Sequence, residues 1–431
     1  MTHARSNGLA RLARLCALAL LASGLSGAPA DDLEALVRDG MSALGSGDFA
    51  VARENLEAAS RLVPEEGRIW LALARVYQRS GDVGQAEEAL DKVGGLAKEQ
   101  PELCRGLAFY FQQIGRFEDA AQWEGRYALF RPGDPEPLSR AAHYYLAADL
   151  PGKAVEFAES AVEKRQDSAE LHNLLGKALA ESGRTDDALT ALGRAIELNK
   201  YNEDFHYDRG YAYLRAQRFE EALTAFHESR QLFDKSPRLE LGIGIAHYGQ
   251  RSFSDAITSF LRASVLAPNA PQPHYFLGKM LTHASDRIDK VLERFEAFHK
   301  AQPENYLGSL LHAQGLVAAM GPDGQPEVMD QVEQLLTESV SLKEDFWETH
   351  FELGALLEKS RRFEEAERSL LRAGELNPGA SKIQYRLARV YARLGKTDLA
   401  AAAREKHAQL TEAEREAMSG DPEVAFGQLV E

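Results

Sequence analysis

Residues 169–202 read AELHNLLGKALAESGRTDDALTALGRAIELNKYN. His172, Leu175, Gly176 and Leu179 recur at spacings of three and four, which places them on one face of an amphipathic helix. Gly183-Arg184-Thr185 interrupts that pattern, and Thr185-Asp186-Asp187 offers an N-cap for a second helix. Ala188, Leu192, Ala195 and Leu198 make the second apolar stripe, which stops at Asn199. The stretch predicts two helices of about fourteen residues joined by a tight turn.

The same offsets return along the chain. Consecutive 34-residue windows start at Leu33, Gly67, Pro101, Pro135, Ala169, Glu203, Pro237 and Pro271. Their eighth positions hold Gly40, Ala74, Ala108, Ala142, Gly176, Gly210, Gly244 and Gly278; seven of their twentieth positions hold alanine, from Ala52 to Ala256. Small residues at two fixed offsets mean two helices in close contact, and a fixed period means that each unit buries its apolar face on the next. Units often close on proline, as at Pro64, Pro132, Pro268 and Pro378, where the ring and the missing N–H stop a helix.

The eighth unit departs from the pattern, since Lys290 stands where its predecessors place alanine. A lysine there would bury a charge, so the helix is expected to slip by one residue and turn Val291, Phe295 and Phe298 inward. Residues 305–346 hold an irregular pair, its helices separated by Gly321-Pro322-Asp323-Gly324-Gln325-Pro326. The phase resumes at Trp347 and again at Ser381.

The ends read differently. Arg5, Arg11 and Arg14 without an acid, an apolar run from Leu15 to Leu25 and then Ala28-Pro29-Ala30 have the form of a bacterial secretory signal. The run is too short to cross a bilayer as a helix, which takes about twenty residues. Removing residues 1–30 takes away three arginines and moves the formal net charge from −16 to −19. Such a charge disfavours nucleic acid and anionic lipid. Only Cys104 would then remain, so no intramolecular disulfide is available.

Catalytic signatures are missing from the sequence. His172, His206, His274 and His350 share the fourth offset, as does Cys104, and read as packing residues. Acid pairs such as Glu220-Glu221 and Glu364-Glu365 fall in first helical turns, where they complement the helix dipole. No metal-ligand cluster, phosphate loop or nucleophile elbow occurs, and no cofactor or metal is expected.

Trp70, Leu73, Ala74 and Tyr77 on one helix, with Gly81-Asp82, Ala86 and Leu90 on the next, resemble the tetratricopeptide repeat. The resemblance covers residues 33 to about 414 in eleven units. It implies an all-α, right-handed superhelical solenoid of antiparallel helix pairs. The expected organisation is a signal peptide at 1–30, units one to eight at 31–304, an irregular pair at 305–346, units ten and eleven at 347–414, and a capping tail at 415–431.

The resemblance also implies that offsets five, nine and twelve line a concave groove. Over seven units these hold four basic residues, Arg75, Arg105, Lys177 and Lys279, and no acid. Three adjacent units add Tyr207, Tyr211, Leu241, Ile245, Tyr248 and Tyr275, and Phe109 stands at the ninth offset of the third. Tyrosines give apolar area with a polar tip and suit a binding surface. No three units supply the lysine and asparagine set of the chaperone-type carboxylate clamp. The expected function is a non-catalytic scaffold for protein–protein interactions in the bacterial envelope, exported to the periplasm or beyond, with a peptide in its groove. The alternative is a carbohydrate-binding accessory that stacks sugar rings on the same tyrosines.

Overall fold

A computed structural model describes residues 28–320 and 326–420. The secretory signal read at 1–30 lies outside the described residues, except that Ala28-Pro29-Ala30 open the first helix. Residues 321–325 of the long loop and 421–431 of the tail also lie outside them.

Among the described residues the protein is all-α, with twenty-two α-helices and no strand. Packing divides the chain into two units, 1–200 and 201–431. The first holds α1 (Ala28–Ser46), α2 (Phe49–Leu62), α3 (Gly67–Arg79), α4 (Val83–Leu96), α5 (Pro101–Gln113), α6 (Phe117–Leu129), α7 (Glu136–Ala147), α8 (Pro151–Lys164), α9 (Ala169–Glu181) and α10 (Thr185–Leu198). The second holds α11 (Glu203–Arg215), α12 (Phe219–Arg230), α13 (Pro237–Gly249), α14 (Phe253–Leu266), α15 (Pro271–Lys279), α16 (Ile288–Ala301), α17 (Tyr306–Ala319), α18 (Pro326–Leu342), α19 (Trp347–Lys359), α20 (Phe363–Leu376), α21 (Ser381–Arg393) and α22 (Thr397–Gly420). Within each unit a helix packs on its pair partner and on the next pair, and first helices of neighbouring pairs touch, as α3 touches α5 and α11 touches α13.

The small residues make this packing possible. Ala52, Ala86, Ala120, Ala154, Ala188, Ala222 and Ala256 are all buried, none more than 5 % exposed. A Cβ on Gly40, Gly176, Gly210, Gly244 or Gly354 would run into the side chain sixteen positions on, namely Leu56, Leu192, Phe226, Phe260 or Leu370. Bulk on the second helix is thus matched by its absence on the first.

In nine of the pairs the turn between the helices holds one left-handed residue, fifteenth in its unit. Gly47, Gly81, Gly115, Gly183 and Gly395 fill it, and so do Asp149, Gln217, Arg251 and Arg361 at φ between 56° and 60°. A side chain there costs about 1–2 kcal/mol. Arg251 is exposed, so Arg251→Gly should raise stability by about 0.5–1 kcal/mol once the added freedom of the unfolded chain is subtracted. Urea unfolding of the two chains reads this directly.

Two local expectations need revision. Thr185 is the first residue of α10 and not its cap; Arg184 takes that place without a side-chain bond, because the left-handed Gly183 sets the turn one residue earlier. Side-chain caps fall mainly on first helices, where Ser168, Asn202, Ser236 and Asn305 accept backbone N–H groups, while Asp48 caps the second helix α2. The fourth-offset rings also do more than pack. Trp70, His172 and His350 each donate a ring N–H to a carbonyl six residues back, on Pro64, Gln166 and Glu344, at 2.8–2.9 Å. They pin the preceding turn to the helix.

In the eighth unit α15 is cut to nine residues and followed by two 3₁₀ turns, Leu281–His283 and Ser285–Arg287. Lys290 is exposed while Val291, Phe295 and Phe298 are fully buried, which is the slip the lysine demands. α22 continues through Gly420, into the segment read as the tail.

Candidate functional site

Arg75 and Phe109 stand in the N-terminal unit on α3 and α5, whose faces adjoin. The Arg75 guanidinium lies 5.7 Å from the centre of the Phe109 ring, which is 51 % exposed. Both line a cleft of about 860 Å³ together with the turn between α1 and α2. Burial holds the half-buried Arg75 guanidinium below its ordinary range, since no carboxylate among the described residues pairs with it. Other half-buried arginines here do have acids: Arg140 is bidentate on Glu124 at 2.9 and 3.0 Å, and Arg386 meets Glu358 at 2.7 Å. Arg105 and Lys177 are exposed on α5 and α9.

The tyrosines stand in the C-terminal unit as three clusters, not one patch. Tyr207 and Tyr211 stack on α11 with centroids 6.1 Å apart and planes 16° apart. Beneath them Phe226 lies 6.0 Å from the Tyr207 ring, and the Arg238 guanidinium sits 4.2 Å from that ring while pairing with Asp204. Tyr248 contacts Phe253, which stacks on His283. Tyr275 lies under the Lys279 ammonium at 4.9 Å. All four tyrosines are half-buried, and among the described residues none of their hydroxyl groups bonds to a protein group. Burial pushes the Tyr207 phenol up from its usual range.

Ile245 is not available to a ligand. It is 4 % exposed and belongs to the core of the C-terminal unit. Leu214 and Ala180, at the twelfth offset, are buried as well. First helices of neighbouring pairs touch, so part of the stripe is covered, and apolar residues take the covered places. The basic bias is also less pure than offsets five to twelve suggest, for Lys279 approaches Glu348 at 3.7 Å.

Arg79, Phe49 and Gln113 line the same cleft as Arg75 but stand outside offsets five, nine and twelve. Arg79 was within reach, being one helical turn after Arg75. Phe49 and Gln113 come from other pairs and are assembled only by folding.

Cys104 is buried, donates its thiol to the Ala97 carbonyl at 3.3 Å and is pushed up by burial, so it is packing rather than a nucleophile. Among the described residues no group of three or more His, Cys, Asp or Glu is placed to hold a metal ion. Among them too, no helix is long and apolar enough to cross a membrane.

Models of the tetratricopeptide repeat match residues 43–108, 139–203, 173–237, 207–272 and 351–414, more than half of the chain. The chain belongs to the tetratricopeptide repeat family. A tetratricopeptide array of this kind indicates a protein-interaction scaffold. A curated relative, cellulose synthase operon protein C of Xanthomonas axonopodis pv. citri, is 28 % identical over 166 residues, which are 36 % of this chain and 11 % of that protein. The chain therefore spans about a tenth of the length of that relative. Among solved structures, MamA is 24 % identical with a TM-score of 0.34, over 39 % of this chain and 92 % of that one. Yeast Tom70 is 16 % identical with a TM-score of 0.42, over 98 % and 93 %.

Proposed function

We propose that this tetratricopeptide scaffold is non-catalytic and works in the bacterial envelope, holding a peptide segment of a partner protein on the first helices of its pairs. The observation that carries the reading is the set of half-buried tyrosines of α11, α13 and α15, whose hydroxyl groups make no bond among the described residues. A phenol with a supported ring and an unused hydroxyl offers apolar area and a hydrogen bond to an extended backbone. Arg75, Arg105 and Lys177 in the N-terminal unit, and Lys279 in the C-terminal unit, each favour acidic residues in a segment bound to their own unit. The envelope assignment draws on the secretory form of residues 1–30 and on the partial similarity to a cellulose synthase operon protein.

The test is capture by the full chain from a lysate of its own cells, beside Tyr211→Ala with Tyr248→Ala. Specific proteins held by the first and lost by the second are expected, with the helical circular dichroism signal unchanged. Retention that ignores the double variant sinks the reading. Retention of a glycan in place of a protein, insensitive to salt, would transfer the tyrosines to sugar stacking.

A further inference from the structure

The cleft at Arg75 lies in the other unit from the tyrosines and presents a different chemistry. Its lining brings two cations, Arg75 and Arg79, to one face of α3, four residues apart. Like charges at this spacing repel one another and weaken a helix. Neither side chain has an ion pair or hydrogen bond to relieve it among the described residues. The lining contains no carboxylate. Acids near in sequence are used elsewhere, since Asp48 caps α2 through the Val51 N–H at 3.2 Å and Asp82 pairs with Arg53 at 3.1 Å. In a chain with 66 acidic and 50 basic residues, an acid-free hollow with two unpaired guanidiniums stands apart from the general charge.

The remaining walls add selectivity. Phe49 and the exposed Phe109 give apolar faces, and Gln78 and Gln113 give amide groups able to bond a peptide backbone. A guanidinium that folding has half-stripped of water without an acid gains more from a carboxylate than an exposed one does, because its desolvation has already been met.

We infer that this cleft is a binding site for an acidic side chain, Asp or Glu, flanked by an apolar residue in an extended segment of a partner protein. The carboxylate meets Arg75, with Arg79 at the rim, and the apolar neighbour lies on Phe109. This rests on the reading of the chain as a peptide-binding scaffold. A polyanion is disfavoured as occupant, since the net charge of −16 repels extended negative surfaces, whereas one carboxylate reaches Arg75 within a Debye length of about 8–10 Å.

The test titrates the full chain with two capped peptides, Ac-Gly-Glu-Phe-Gly-NH2 and its Gln counterpart, by calorimetry or by the arginine side-chain NMR signals. The Glu peptide should bind about tenfold or more tightly than the Gln peptide, the margin of a charge-assisted bidentate contact. Arg75→Met should remove that preference and leave the Gln peptide unaffected. Arg79→Gln, at an exposed position with no fold to lose, should reduce it severalfold, and the preference should survive Tyr211→Ala with Tyr248→Ala. Equal binding of both peptides, binding of neither, or a preference that persists in both arginine variants overturns the site. A preference that survives the tyrosine changes while native partners are still captured sinks the tyrosine reading alone.

Discussion

Gly210→Leu should lower the stability of the C-terminal unit by about 3 kcal/mol, at the upper end of what overpacking a core costs. The reason lies in Phe226, whose ring is fully buried between two glycines on successive first helices. A Cβ on Gly210 would enter the ring from one side, and a Cβ on Gly242 would stand 2.5 Å from its Cζ on the other. The ring has nowhere to go. Replacing glycine within a helix ordinarily gains about 1 kcal/mol of helix propensity, so a net loss would show that packing decides the position. Phe226→Ala should cost about 3–5 kcal/mol, because neither glycine can fill the cavity. Gly210→Ala with Phe226→Leu recreates the pairing of Ala74 with Leu90, both buried in the second unit of the array, and should recover much of the loss of Gly210→Ala alone. Urea unfolding of the unsubstituted chain, Gly210→Ala, Phe226→Leu and the double variant tests this. Additive losses would show that the two positions do not meet. Because Tyr207 lies against Phe226, the glycine variants should also weaken capture of a partner.

That pairing shows how far the residues could be read in one dimension. Small residues at offsets eight and twenty, as at Gly210 and Ala222 or Gly244 and Ala256, announce a helix pair because contact within a pair depends only on spacing along two short helices, whereas the large partner at offset twenty-four, Phe226 or Phe260, emerges from the structure. The slip at Lys290 was legible for the same reason: a charge excluded from one position leaves the next register as the remaining choice. Ile245 was misplaced because its exposure depends on the neighbouring pair, and the rotation between pairs leaves no mark at a single offset. The unpaired state of Arg75 was hidden more deeply. It depends on where Asp48 and Asp82 turn, and on a hollow assembled from three pairs.

Arg140→Met should destabilise the N-terminal unit by about 3–5 kcal/mol, the cost of leaving one member of a buried pair alone. Glu124 is 3 % exposed, and both of its carboxylate oxygens are held by Arg140, whose guanidinium is raised above its ordinary range chiefly by that contact. Adding Glu124→Leu should restore most of the loss, since a buried ion pair and an apolar pair of similar volume are often close in stability. Arg75→Met provides the contrast on a side chain of the same type in the same unit. Its guanidinium is also half-buried but has no carboxylate, so removing the charge while keeping the stem should leave the unfolding midpoint unchanged or slightly higher. Opposite signs at the two arginines would mean that the fold needs Arg140, whereas Arg75 is held in its cleft at the expense of stability. If Arg75→Met instead destabilises as Arg140→Met does, Arg75 is a structural strut against Phe109 and Tyr110, and an acidic ligand is no longer needed to account for it.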